Sequence, residues 1–151
     1  MKQRKQRKTI MFYDVTDKPQ KIKRLNAAIM FAMNECDLTD REGYILFQFL
    51  DDEDMNGSYG FAHGDNLDNE YNVELNADKP SKDIISTIFH EMVHIKQIIE
   101  GRLIQGIGFK KSRWNGKVWD DNIYEEYPWE IEAYEQEKAM IEKWKKMNTI
   151  L

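Results

Sequence analysis

The alternation of apolar and polar positions along the chain predicts an α+β order. Residues 9–15 (TIMFYDV) read as a short strand. After Pro19, Ile22, Leu25, Ile29, Ala32, Met33 and Cys36 recur at helical spacing, which predicts an amphipathic helix over about 20–36. GYILFQFL at 43–50 is a strongly apolar strand of the kind found inside a sheet. The following DDEDMNGS run has turn chemistry, with Asn56-Gly57 as a hairpin signal and 58–62 as the return strand. A second polar turn at 65–69 leads into EYNVEL at 70–75, whose alternation marks a half-buried strand.

Asp78, Pro80 and Ser81 then announce a helix that runs to about Glu100 and stops at Gly101. Ile85, Ile88, Phe89, Met92 and Ile99 form its expected buried stripe. WNGKVW at 114–119 predicts a tight hairpin about Asn115-Gly116. A last helix is expected from Pro128 to about Met147, with Trp129, Ala133, Met140, Trp144 and Met147 on its core face. No repeat, low-complexity block or linker interrupts the order, and 151 residues suit one domain.

Composition changes this picture little. Four Trp and seven each of Tyr and Phe argue for a packed core. The single cysteine, Cys36, cannot form an internal disulfide, and its place on an apolar stripe predicts packing rather than reactivity. Neither a signal peptide nor a membrane span is expected, so the cytoplasm is the default location. Charge is uneven. Residues 1–24 carry nine Lys/Arg against two Asp, a balance of +7, and the rest of the chain carries −12 to give the net −5. The basic arm at 1–8 could contact nucleic acid, although it is short and has no aromatic platform.

The chemistry lies in His90-Glu91-Met92-Val93-His94, an HExxH pentad inside the expected 81–100 helix. Histidines four apart on a helix share a face and can grip one zinc ion. The intervening glutamate then reaches the open side of the metal, where it can deprotonate a water. A catalytic zinc needs a third protein ligand. Glu100 would stand about 9 Å along the helix axis from His94, too far to close the site. His63, in a loop-like GFAHGD segment, and Asp121 are two candidates. The last helix offers Glu130 and Glu132, which point about 200° apart on a helical wheel, so only one of them can serve.

The pentad followed by PWEIEAY at 128–134 resembles the gluzincin metallopeptidases, in which a second helix after HExxH supplies the third ligand from an E-x-x-Ala segment. The resemblance spans roughly residues 43–147. More narrowly, HEMVHIKQ, WNGKVW and YPWEIEAY look like the small single-domain zincins of phage and bacterial genomes described as SprT-like or minigluzincin-like. It implies a zincin-like α+β fold, in which a small mixed or antiparallel sheet packs on an N-terminal helix and the pentad helix, followed by a glutamate-bearing helix.

It also implies Zn2+ held by His90, His94 and Glu130, with Ala133 letting the helices approach. Glu91 would be the general base for peptide-bond hydrolysis, and Tyr127 or Tyr124 the donor to the oxyanion. The strand at 70–75 resembles the edge strand that takes an extended protein or peptide substrate. One departure is clear: where the family often has an aspartate supporting a zinc histidine, this chain has Tyr134.

Other readings are a deformylase-type hydrolase using Cys36, a latent or non-proteolytic zinc module with a dedicated protein partner, and an SprT-like protease brought to DNA by the basic arm. An intact Glu91 weighs against a purely structural zinc, which needs no base.

Overall fold

The computed structural model describes residues 11–108, 111–120 and 127–149. The basic arm at 1–8, Asp121 and Tyr124 lie outside the described residues. Within them the chain is a mixed α+β fold of three helices and two sheets. The element order is β1 (Met11–Thr16), α1 (Leu25–Glu35), β2 (Gly43–Leu50), β3 (Gly60–Asp65), β4 (Glu70–Asn76), α2 (Ser81–Ile99), β5 (Leu103–Gly108), β6 (Lys111–Trp114), β7 (Lys117–Asp120) and α3 (Pro128–Thr149). No described helix is long and apolar enough to cross a membrane.

The first sheet has the order β1-β2-β4-β3. β1, β2 and β4 are parallel, and β3 runs antiparallel to β4. Two expectations are corrected here. Asn56-Gly57 does not close a hairpin from β2 into β3; β3 pairs with β4 instead, through the turn at 66–69. The strand at 70–75 is not an edge. β4 lies between β2 and β3, and Tyr71, Val73 and Leu75 carry its buried alternation. The edge strand beside β4 is β3, the other edge being β1, and Gly64 is needed in β3 because a Cβ there would stand 2.1 Å from the Tyr71 ring.

The first helix starts at Leu25 rather than near 20. Ile22 still enters the core, but on a turn closed by its N–H on the Pro19 carbonyl. Leu25, Ala28, Ile29 and Ala32 then give α1 a stripe with no exposure above 1 %. α2 is wrapped more completely than its expected stripe: Ile84, Val93, Ile95 and Ile98 are buried, whereas Ile85 and Ile99 are only partly so. A helix buried on most sides is covered by several elements, and here α1, β3, β4, β5 and α3 all pack on it.

Gly101, at φ 74°, ends α2 as expected. Its N–H bonds the Ile98 carbonyl and that of Arg102 bonds the Gln97 carbonyl, a Schellman turn that swings the chain back beneath α3. The second sheet, in the order β5-β6-β7, extends the expected hairpin by one strand. Asn115 and Gly116, at φ 47° and 83°, make its turn. Its Trp114 and Trp119 rings meet Trp129 at the start of α3. α3 docks on α2 through Trp129, Ala133 and Met140, and Ala133 has no exposed surface. Met147, an expected core residue, is 48 % exposed.

Candidate metal centre

The pentad occupies the middle of α2, where the helix is most deeply covered. His90, Glu91 and His94 are each 5 % exposed, as is Glu130, the third residue of α3. Ala133 lets α3 come close enough for Glu130 to reach across. Its Oε1 lies 2.9 Å from His90 Nε2, and its Oε2 lies 3.1 Å from His94 Nε2. Ligand atoms of all three residues lie within 4.8 Å of one another, and among the described residues they form the one such group. This buried His-His-Glu group can hold a metal ion.

The donor chemistry fits that role. Each histidine spends its other nitrogen on an acceptor outside the cluster. His90 Nδ1 is 2.8 Å from Glu137 Oε1, and His94 Nδ1 is 2.8 Å from Gln97 Oε1. Both rings are thus held as Nδ1–H tautomers when neutral, with Nε2 aimed at Glu130. Gln97 is fixed in turn, because its amide donates to the Trp129 carbonyl at 3.0 Å and to Glu132 at 3.1 Å. Arg102, delivered by the Schellman turn, grips both Glu132 oxygens at 2.9 Å.

These contacts decide between the alternatives for the third position. Glu130 is in the cluster. Glu132 belongs to Arg102 and Gln97, one bond further out. His63 sits exposed on β3 beside Phe61, away from the group. Glu100 pairs with Arg102.

Charge is finely balanced in this pocket. Burial disfavours the His90 imidazolium, but bonds to Glu130 and Glu137 and the nearby Glu91 outweigh it and raise its pKa to about 9. His94 moves in the same direction for similar reasons. Burial alone would raise Glu130; hydrogen bonds from the two histidines overcome it and lower it to about 2. Glu91 goes the other way. Burial raises it, and the neighbouring histidines offset only part of the rise. Its carboxylate has no hydrogen-bonded partner among the described residues.

Glu91 faces a cleft of about 550 Å³ walled by Tyr59, Gly60 and Phe61 on one side and Tyr134 and Glu137 on the other. Gly60 lies directly against Glu91. A Cβ there would stand 3.2 Å from Glu91 Cγ and 2.5 Å from Thr87 Cγ2. Among the described residues β3 pairs with no strand but β4; Gln105 donates to its Ala62 carbonyl at 3.0 Å, and Gly60 and Phe61 at its start line the cleft.

The expectation for Tyr127 is corrected. Its hydroxyl donates to the Asp120 carbonyl at 3.2 Å, its ring stacks on Trp129 at 4.4 Å, and it is not part of the cleft wall. Two tyrosines do line the cleft, Tyr59 and Tyr134, and the Tyr134 ring centroid lies 4.4 Å from that of His90.

Glu137, Gln97, Arg102 and Gly60 went unrecognised in the sequence. Spacing could have found two of them. Gln97 follows His94 by three residues, and Glu137 follows Glu130 by seven, so each repeats the face of a ligand. Nothing local marks Gly60 or Arg102. Cys36, at the C-terminal end of α1, is buried and outside the His-His-Glu group, and burial pushes its thiol up to about 12. Comparison of the chain with protein-family models, with curated proteins and with solved structures gives no match.

Proposed function

We propose that this chain is a zincin-type metallopeptidase that hydrolyses peptide bonds with zinc held by His90, His94 and Glu130. Two imidazoles and one carboxylate are the ligand set of catalytic zinc sites that keep an open position. Bound zinc supplies Lewis acidity to a water and to the scissile carbonyl. The rest of the chemistry belongs to the chain. Glu91 takes the proton of the attacking water and passes it to the leaving amine. Burial raises its pKa, the direction that makes a carboxylate a stronger base. Glu137 and Gln97 keep the histidines oriented. An extended substrate lies along the β3 edge at Gly60 and Phe61. Tyr134 takes the place of Tyr127 as the candidate donor to the developing oxyanion.

The observation that carries this reading is Glu91. It is buried beside the ligand cluster, has no hydrogen-bonded partner among the described residues, and opens on a cleft. A structural metal site needs no such carboxylate. The test compares zinc-loaded wild type with Glu91→Gln on casein, reading new termini by mass spectrometry. Wild type should cleave, and the variant should lose at least about 100-fold in rate while retaining zinc. Equal cleavage by both proteins, or none by either with zinc bound, would refute it.

A further inference from the structure

The cleft at the metal centre is the first of three hollows that share walls. Asp83 and Ser86 line both the cleft and a second hollow between α2 and α3, bounded by Phe89 and Ile141. Lys82, Ile85, Trp144 and Lys145 line both that hollow and a third, at the start of α2. The three hollows therefore adjoin one another in series along the α2–α3 seam, and are together termed a groove.

Charge changes sign along it. Near the metal centre the walls carry Asp83 and Glu137. At the far end they carry Lys21, Lys23, Arg24, Lys82 and Lys145, with no carboxylate in the wall. Among the described residues, Lys23, Lys82 and Lys145 make no salt bridge, and Lys21 donates only to the Lys79 carbonyl. Arg24 lies over Trp144 at 5.3 Å. Such a cluster of uncompensated cations, on a chain of net charge −5, calls for an anionic occupant.

We infer that the groove takes a polypeptide substrate carrying an acidic segment about four residues to one side of the scissile bond; this rests on the peptidase reading above. Lys82 lies nine positions before Glu91 on α2, or roughly 13 Å at helical rise, a span that about four residues of extended chain cover. A peptide also suits the walls between the two ends, where the partly buried Ile85, Ile141 and Trp144 offer apolar surface to side chains and nothing to a sugar–phosphate backbone. An occupant confined to the basic end would leave the continuity with the cleft without a role.

The test measures binding, so it does not depend on turnover. Fluorescein-labelled twelve-residue peptides carry a Glu-Glu-Glu block at either end, with Gln-Gln-Gln versions as controls. Anisotropy gives the Kd of each for zinc-loaded wild type and for Lys82→Ala/Lys145→Ala. Both lysines are exposed, and unchanged Tm and zinc content verify that the variant is folded.

The expected result is tighter binding of the Glu block in one placement. The double substitution should raise its Kd about tenfold, as two lost surface ion pairs allow, and leave the Gln peptides unchanged. Equal affinity for Glu and Gln blocks in both placements, or no effect of the substitutions, overturns the inference. So does a loss confined to a twelve-base thymidine oligonucleotide used as the competing probe. If the Glu preference is present and lysine-dependent but no substrate is cleaved, the groove stands and the hydrolytic reading falls. Cleavage with equal affinities does the reverse.

Discussion

Gly60→Ala is the sharpest test of how Glu91, the proposed general base, is held. Gly60 opens β3 opposite Leu75 and lies against the pentad helix. The added Cβ would stand 2.5 Å from Thr87 Cγ2 and 3.2 Å from both the Glu74 carbonyl oxygen and Glu91 Cγ. Thr87 cannot easily turn away, because its hydroxyl donates to the Asp83 carbonyl at 2.7 Å and a branched side chain in a helix has few rotamers. The strand or the helix must therefore shift. Overpacking of this kind costs about 1–3 kcal/mol, which in a domain of this size lowers Tm by roughly 3–10 °C. The same displacement moves Glu91 within the cleft, and a misplacement of about 1 Å can cost on the order of 100-fold in rate. Thermal denaturation and peptide cleavage read the two effects separately. The decisive partner is Thr87→Ser, which deletes the clashing methyl and keeps the hydroxyl bond. Gly60→Ala/Thr87→Ser should recover most of both losses. A neutral Gly60→Ala, or a double variant no better than the single, would refute the packing argument.

Glu137→Gln keeps the shape but weakens the acceptor for His90 Nδ1; zinc affinity should fall about 10- to 100-fold in a competitive chelator titration, whereas Glu132→Ala, one bond further out, should cost less than Glu130→Ala. In chelated protein, His90 is raised to about 9, so its stabilising bonds are complete below its ordinary 6.5 and are lost as pH rises through 9. Glu130 is lowered to about 2, so its contribution is present above 4.5 and is lost as pH falls through 2. Metal-free stability in urea should therefore peak between about 4.5 and 6.5, with the raised Glu91 drawing the maximum toward the acid end; a flat profile from 6.5 to 9 would contradict the geometry. Cys36, pushed up to about 12 by burial, should resist a thiol reagent at neutral pH until the protein unfolds.

The pentad, both long helices, the interior strand β2 and the Asn115-Gly116 turn were legible because each rests on local pattern. The sheet order was not. Asn56-Gly57 carries a genuine turn signal, with Asn56 at φ 51° and Gly57 at φ 75°, but it closes a loop rather than a hairpin. β2 then takes β4 as its parallel neighbour, and that choice depends on long-range packing that no window of sequence contains. It also exchanged the strand expected at the edge for the one that is there. At the site, ligand spacing on one helix could be read directly. The contacts that orient those ligands come from α3 and from the turn after α2, so they depend on how two helices dock. Tyr127 illustrates the limit: it lies three residues from Glu130, yet the aromatic cluster under the second sheet claims its ring.

Glu130 meets His94 and His90 across 36 and 40 residues of chain. A metal ion there would act as a cross-link closing a long loop, with the entropy of that closure set against detachment of α3. The cheapest route to losing the ion is then not unfolding of the core but an outward swing of α3, which removes one ligand and frees His90 Nδ1 at once. Amide exchange in α3 should thus report metal occupancy, while β2 and β4 exchange only through global unfolding.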